Sequence, residues 1–256
     1  MHPSAAPPVV CLAHGSRHPE ADATVADIAR AVAALTGRDT RAAYLDFSPL
    51  TPTTVARLLA AEGHSGAAVV PLLFTTAFHM TTDVPEALAA ATAETGLTLH
   101  QTDGIGSGDD LAEVLASRVA ADADHLVLYS VGSSVPGANA RVAGLADAVG
   151  RRLGVPARSI VATGGPGTGP DALVAHVEDA VRKGARRVAV EPLFICPGTL
   201  WDSAVRAVQA VRATPGGDGP SVADAVTTGH PLGTAVAPLI AARLTTRVPE
   251  QDGGTT

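Results

Sequence analysis

Residues 10–37 read VCLAHGSRHPEADATVADIARAVAALTG, and residues 127–154 read VLYSVGSSVPGANARVAGLADAVGRRLG. Each stretch starts with an apolar run, passes through a short polar turn and continues as an amphipathic, alanine-rich segment that ends at glycine. This pattern is typical of a buried parallel strand and the helix that follows it. The two stretches lie 117 residues apart (127 − 10 = 117). They therefore predict an α/β fold built from a repeated unit.

The alternation of apolar runs and helical segments continues along all 256 residues. Such alternation is typical of βαβ units with parallel strands. The predicted strands are 8–13, 41–47, 67–73, 97–101, 125–130, 158–162, 186–191 and 223–227. The predicted helices are 20–36, 52–63, 83–95, 108–121, 138–153, 170–183, 200–213 and 232–244. We predict two similar lobes, each a mostly parallel four-stranded sheet flanked by helices.

The two copies of the repeat meet near the sequence Ala-Ala-Asp-Ala-Asp at 120–124. We therefore expect an amino-terminal lobe over 1–122, a carboxy-terminal lobe over 123–247 and a disordered tail over 248–256. Open parallel sheets bind ligands in the crevice outside the carboxyl ends of their strands. The functional site is accordingly expected in the cleft between the lobes, with the second lobe as its facing wall.

The two copies differ at two histidine positions. His14 of the first copy lies opposite Val131 of the second, and the offset is 117 residues. A second pair of similar stretches, 66–88 and 185–205, places His79 opposite Leu200 at an offset of 121 residues. Packing alone does not explain imidazoles at both points of one copy and aliphatic groups at both points of the other. We expect a single working crevice in the amino-terminal half.

His14 and His79 are the candidate metal ligands and catalytic bases. Each lies at or just past the carboxyl end of a predicted strand, so the two imidazoles can hold one divalent ion at the sheet edge. Neutral imidazole suits Fe²⁺, Co²⁺, Ni²⁺ and Zn²⁺. Structural zinc sites close with four protein ligands, so an open pair indicates a transit point for metal. Asp46 is the candidate third group, and its alternative is a carboxylate that caps the turn at Ser48-Pro49.

Four further residues are candidate substrate contacts. Ser16 belongs to the polar turn after the first strand and can form a hydrogen bond there or cap the helix that begins near Pro19. Arg17, with His18 beside it, can meet substrate carboxylates or simply face solvent. Phe78 and Met80 flank His79 and offer an apolar face to a flat ligand, or else belong to the core. Apart from His18, the remaining histidines have no nameable partner, and His176, inside a predicted helix, is interpreted as solvated.

Composition excludes several classes of function. A net charge of −7 and an aromatic content of 3% argue against a nucleic-acid surface. Two cysteines without a CxxC spacing provide no thiolate zinc site and no iron–sulfur ligand set. No apolar stretch reaches the roughly 18 residues of a membrane helix. The first residues lack the features of a signal peptide, so we expect a soluble cytoplasmic protein.

Three stretches together resemble the class II chelatases of the sirohydrochlorin cobalto-/ferrochelatase family. They are HGSR at 14–17, YLDF at 44–47 and VVPLLFTTAFHMTTDVP at 69–85; PLFICPGTLWD at 192–202 resembles a non-catalytic counterpart. The resemblance implies a two-lobed enzyme that inserts a divalent metal into a modified tetrapyrrole without ATP or an organic cofactor. In the family, the histidines that match His14 and His79 bind metal and assist removal of pyrrole protons. A glutamate often stands where this chain has Asp46.

The resemblance implies a place in sirohaem or cobalamin biosynthesis, with Fe²⁺ or Co²⁺ as the metal substrate and Ni²⁺ as a further candidate. Its partner would be a tetrapyrrole, with no nucleic acid or membrane, and the chain would be a monomer or homodimer. One alternative is a non-catalytic carrier of metal or tetrapyrrole derived from such an enzyme. Another is a chelatase-like enzyme that acts on a different small molecule, for which the departure at Asp46 is the hint.

Overall fold

A computed structural model describes residues 6–74, 79–212 and 222–245. Its strands are β1 (Val9–Ala13), β2 (Thr40–Tyr44), β3 (Gly66–Pro71), β4 (Thr98–Gln101), β5 (His125–Ser130), β6 (Ala157–Val161), β7 (Val188–Leu193) and β8 (Val226–Thr228). Its α-helices are α1 (Ala21–Thr36), α2 (Pro52–Ala61), α3 (Val84–Thr95), α4 (Asp109–Arg118), α5 (Ala138–Leu153), α6 (Gly169–Arg182), α7 (Thr199–Arg212), α8 (Val222–Ala225) and α9 (Ala237–Arg243).

The strands form two separate four-stranded sheets. The first has the order β2-β1-β3-β4 and the second the order β6-β5-β7-β8. Every pairing in both sheets is parallel. Parallel neighbours need a crossover connection, and helices provide it in both halves. The predicted fold class, two similar α/β lobes with four-stranded sheets, is confirmed.

Strand register confirms the internal repeat at the level of single residues. Val9 in β1 lies opposite Thr40 in β2 and Ala68 in β3. The equivalent residues in the second sheet are Leu126, Ala157 and Ala189. The offsets are 126 − 9 = 117, 157 − 40 = 117 and 189 − 68 = 121, the two values that the sequence alignment predicts.

The helices and sheets stack in layers around three apolar clusters. One cluster fills the outer face of the first sheet under α2 and α3, and a second fills the outer face of the second sheet under α6 and α7. The third and largest combines residues from the inner faces of both sheets with α1, α4, α5 and α9. The two lobes therefore share one continuous core rather than touching only at their surfaces.

The last helix of each repeat packs on the other lobe. Helix α4 follows β4 in sequence but packs on α5, and α9 follows β8 but packs on α1. The arginine that ends each of these two helices forms hydrogen bonds with the other lobe, and we call this reciprocal packing the exchange of α4 and α9. Arg118 donates to the carbonyl oxygens of His230 and Pro231 at 2.6 and 3.2 Å, and Arg243 donates to those of Gly104 and Ile105 at 3.0 and 2.6 Å.

Some predicted boundaries differ from the observed ones. Strand β8 begins three residues later than predicted, because Val222–Ala225, which includes Ala-Asp-Ala, forms a helical turn. Alanine and aspartate have low β propensity, which explains this difference. The predicted helix 232–244 divides into a 3₁₀ turn at Gly233–Val236 and α9. The predicted tail 248–256 lies outside the described residues, and no described helix is long and apolar enough to cross a membrane.

Candidate functional site

A cleft of about 620 Å³ lies between the lobes at the carboxyl ends of the central strands. Its walls come from the segments that follow β1 and β3 in the first lobe and β5 and β7 in the second. His14, Ser16 and Tyr44 line it from the first lobe, and Val131 and Leu200 line it from the second. The volume falls within the range of about 300–1,000 Å³ that small-molecule sites occupy.

His14 reaches the cleft because β1 ends one residue before it. The carbonyl oxygen of His14 accepts a hydrogen bond from the backbone N–H of Asp46 at 2.9 Å, which extends the pairing of β1 with the chain after β2. The imidazole is exposed, and its ring centre lies 6.5 Å from that of Phe47. The strand pair thus holds the main chain of His14 firmly while the imidazole stays accessible.

The turn after His14 depends on a glycine and a serine. Gly15 has φ of +99°, and a Cβ there would overlap the carbonyl oxygen of Asp46. Glycine is therefore required by conformation and by space. The Oγ of Ser16 accepts a hydrogen bond from the backbone N–H of His18 at 3.1 Å, which closes the turn. Ser16 also lines the cleft, whereas the exposed Arg17 is not among the lining residues.

His79 begins a π-helical turn, His79–Asp83, that leads into α3. Such turns occur frequently at functional sites. Strand β3 lies beside β1, and the N–H of Leu72 donates to the carbonyl of Leu12 at 2.8 Å. The chain that leads to His79 therefore leaves the sheet next to the strand that ends before His14. The side chain of His79 and the whole of Phe78 lie outside the described residues.

The main chain of Asp46 pairs with that of His14 through a backbone hydrogen bond, and the carboxylate of Asp46 is exposed. One carboxylate oxygen accepts the N–H of Phe47 at 2.8 Å, so Asp46 supports the turn that follows β2. Asp46 is not among the residues that line the cleft. Its role as a third ligand or base stays a prediction.

Phe47 is a candidate site residue that sequence reasoning missed. It is the single described residue other than glycine with positive φ, at +62°, and its side chain is 46% exposed. Arg17 places its guanidinium carbon 4.9 Å from the ring centre, within cation–π range. Strained backbone of this kind clusters at functional sites. The available signal was a phenylalanine inside the polar turn Asp-Phe-Ser-Pro, in a chain with only four phenylalanines.

Met80 lies in the core beneath the π-helical turn. Its relative exposure is 9%, and its carbonyl oxygen accepts a hydrogen bond from the side-chain amide of Gln101 at 3.2 Å. Its sulfur lies next to Gly104. Met80 does not line the cleft, so the structure places it where the core alternative expects it.

The described lining of the cleft contains neither lysine nor arginine. Arg17 stacks on Phe47, and Arg57 pairs with Glu94 in an exposed ion pair between α2 and α3. Cys196 lines the cleft from the second lobe. Burial, assisted by the charge of Asp22, raises the pKa of its thiol to about 12. Cys196 is therefore a neutral thiol at neutral pH and a poor metal ligand.

The carboxy-terminal wall is mostly apolar. Val131 and Leu200, the counterparts of His14 and His79, both face the cleft, together with Leu193 and Phe194. One cross-lobe contact lies nearby: the Nε2 atom of His18 is 3.4 Å from a carboxylate oxygen of Asp202 in α7. The second lobe thus supplies a hydrophobic face and a polar link to the loop that carries His14.

The family model CbiX matches residues 8–122, and no curated protein matches the chain significantly. SirB from Bacillus subtilis with Fe³⁺ is 21% identical, with a TM-score of 0.73 and coverage of 93% of each chain. The sirohydrochlorin chelatase SirB from Bacillus subtilis subspecies spizizenii in complex with cobalt is 22% identical, with a TM-score of 0.72 and coverage of 92% of each chain.

DR2241 from Deinococcus radiodurans, a multi-domain protein with structural similarity to chelatases, is 19% identical with a TM-score of 0.64. That match covers 98% of this chain and 57% of DR2241. The structural matches agree with the two-lobed architecture, and the family model matches its first lobe. Residues 8–122 therefore match the CbiX family model, and the chain as a whole has the two-lobed fold seen in the SirB structures.

Proposed function

We propose that this chain inserts a divalent metal ion into sirohydrochlorin or a closely related tetrapyrrole, without ATP or an organic cofactor. The observation that carries the proposal is the position of His14 at the cleft, directly after β1, the strand next to the one that leads to His79. Relatives with the same fold bind iron and cobalt, and one of them is described as a sirohydrochlorin chelatase. The volume of the cleft suits a small-molecule substrate.

The two histidines would hold the metal substrate on one side and leave its other coordination positions open to the macrocycle. Positioning the ion beside the ring turns a bimolecular insertion into a local one. As the metal–nitrogen bonds form, two pyrrole N–H protons leave the macrocycle. An imidazole titrates near neutral pH and can accept one of them before it passes the proton to water. Asp46, next to His14, is the proposed third group, as a ligand or a proton acceptor.

The neutral lining constrains how a polycarboxylate substrate binds. The apolar wall of the second lobe can cover one face of the flat macrocycle, while most carboxylates extend toward the open side of the cleft. Arg17 and Phe47 lie at the edge beside His14, where they can meet a carboxylate and the rim of the ring. This arrangement keeps charged groups solvated and buries the apolar ring, which is the less costly solution.

The metal is proposed to be Fe²⁺, for sirohaem, with Co²⁺, for cobalamin, as the second choice. Imidazole accepts both ions, and the structurally similar SirB proteins bind iron and cobalt. The internal repeat already supplies both walls of the cleft, which supports a monomer as the working unit.

Replacement of each cleft histidine tests the proposal. The wild-type chain should convert the absorbance spectrum of sirohydrochlorin when Fe²⁺ or Co²⁺ is added under anaerobic conditions. His14→Ala and His79→Ala should each reduce the insertion rate to the uncatalysed background, because each removes a proposed metal ligand and base. Their circular dichroism spectra should match that of the wild type.

His230→Gln is the matched control, because His230 is an exposed loop histidine whose carbonyl, not its ring, contacts Arg118. It should retain full activity. Full activity in both single variants at His14 and His79 would exclude the proposal. Tight binding of sirohydrochlorin by the wild type, with no spectral conversion for any metal, would favour the carrier alternative.

A further inference from the structure

The cleft contains a buried hydroxyl group that no described residue satisfies. Ser130, the last residue of β5, is 4% exposed and lines the cleft, and its Oγ atom has no hydrogen-bond partner among the described residues. An unsatisfied buried hydroxyl is energetically unfavourable, so its presence calls for an explanation.

Strand geometry determines where this hydroxyl points. Successive side chains along a strand alternate between the two faces of a sheet. Leu126 and Leu128, which share the face of Ser130, belong to the inner core between the lobes, whereas Val127 and Tyr129 belong to the outer core. Ser130 therefore projects inward, at the point where β5 ends and the cleft begins.

The described surroundings of Ser130 provide no hydrogen-bond partner for its hydroxyl. Its neighbours across the sheet are Val161 in β6 and Leu193 in β7. Its counterpart in the first lobe is Ala13 (130 − 13 = 117), which also lines the cleft. The second lobe thus places a hydroxyl group where the first lobe has only a methyl group.

We propose that Ser130 is a substrate-positioning residue whose hydroxyl donates a hydrogen bond to one carboxylate arm of the tetrapyrrole, inserted along the wall of the second lobe. The inference rests on the proposed function. A carboxylate is the strongest acceptor that such a substrate offers, and a hydrogen bond to a charged group is roughly twice as strong as a neutral one. With no lysine or arginine in the described lining, a neutral donor at the base of the wall would fix the orientation of the ring.

A serine that positions substrate and a serine that is only structural predict different results for Ser130→Ala. Removal of an unsatisfied buried hydroxyl should leave the free energy of unfolding unchanged or increase it. Loss of a hydrogen bond to a carboxylate should weaken the binding of metal-free sirohydrochlorin, followed by absorbance titration, by about tenfold or more. The KM for sirohydrochlorin should rise by a similar factor, because His14 and His79 remain in place.

Tyr129→Phe is the matched control. The Tyr129 hydroxyl is also buried without a described partner, but the side chain lies in the outer core and does not line the cleft. This variant should be as stable as the wild type or more stable, with unchanged binding of sirohydrochlorin. Ser130→Thr, which keeps the hydroxyl, should bind more tightly than Ser130→Ala.

The outcomes separate this inference from the proposed function. If the wild type binds sirohydrochlorin and inserts metal while Ser130→Ala binds equally well, the inference is wrong and the proposed function stands. Equal weakening by Ser130→Ala and Tyr129→Phe would also overturn it, because the effect would then come from the strand rather than the cleft. If the wild type neither binds sirohydrochlorin nor inserts metal, the proposed function itself fails.

Discussion

Asp46 combines a structural and a proposed chemical role in one side chain. Its carboxylate accepts the N–H of Phe47, whose left-handed backbone conformation costs about 1–2 kcal/mol for an L-residue. The backbone N–H of Asp46 donates a hydrogen bond to the carbonyl oxygen of His14. A change at this position can therefore act through the turn, through charge or through both, and the two effects need different variants to separate them.

Asp46→Asn keeps an acceptor oxygen for the N–H of Phe47 and removes the charge. If Asp46 accepts protons or binds the metal substrate, kcat for insertion should fall roughly tenfold or more while the unfolding midpoint stays within error of the wild type. Asp46→Glu should recover part of the activity. Unchanged kcat in Asp46→Asn, with lower stability in Asp46→Ala, would assign Asp46 to the turn alone.

At the scale of single strands, β7 differs from its counterpart β3 because it contains a buried carboxyl group. Glu191 occupies the position of Val70 (191 − 70 = 121) and is 6% exposed. Burial raises the pKa of its carboxyl to about 7, and Arg118 opposes that shift. A Cβ at Gly229 would overlap this carboxyl, so glycine makes room for it. The carboxyl is then protonated in the folded chain under mildly acidic conditions.

This elevated pKa predicts a pH-dependent stability. The carboxyl has a pKa of about 4.5 in the unfolded chain and about 7 in the folded chain, so its contribution is complete below pH 4.5 and is lost as pH rises through 7. The loss is at most about 3 kcal/mol. Urea unfolding of Glu191→Gln should show this loss abolished, and the variant should be more stable than the wild type at pH 8.

Glu178→Gln, on an exposed position of α6, is the control for the titration of Glu191 and should follow the wild-type pH profile. The free energy of unfolding should be measured for all three proteins from pH 5 to pH 8. An identical decline in Glu191→Gln and in the wild type would show that other groups cause it.

Strand and helix positions could be predicted because their signal is local. Apolar runs and helical periodicity determine β5 and α5, whose observed bounds equal the predicted ones. Contacts between distant elements carry no local signal. The sequence gives no indication that the turn at Phe47 reaches His14, or that His125 and His176 place their Nε2 atoms 3.0 Å apart. The prediction of a solvated His176 is therefore wrong, because its ring contacts His125, which is distant in sequence.

At the scale of the whole molecule, the exchange of α4 and α9 joins the two lobes into one cooperative unit. The shared core includes α1 and α9 on one side and α4 and α5 on the other. Arg118 and Arg243 reach equivalent loops, after β8 and after β4, and Arg243 also pairs with Asp110 at 2.6 Å. We therefore expect one unfolding transition rather than two.

Arg118→Met and Arg243→Met test this exchange. Each variant removes charged hydrogen bonds to carbonyl groups of the other repeat and keeps much of the aliphatic stem, so each should lower the free energy of unfolding by about 1.5–3 kcal/mol. Arg30→Met, which breaks an exposed pair with Asp27, should cost at most about 1 kcal/mol. Unfolding in urea, followed by circular dichroism and tryptophan fluorescence, should give coincident curves; separated curves in the wild type would contradict a shared core.

The exchange of α4 and α9 also determines when the first lobe can finish folding during synthesis of the protein. Helix α1 buries Val25, Ile28 and Val32 in the shared core, and α9, which covers it, ends only at Arg243. Until the ribosome has released the chain through Arg243, the first lobe has an uncovered apolar helix. The lobe that carries His14 is thus covered only after α9 of the second lobe has been synthesised. Nascent chains truncated before α9 would expose apolar surface and bind chaperones rather than fold as an independent first lobe.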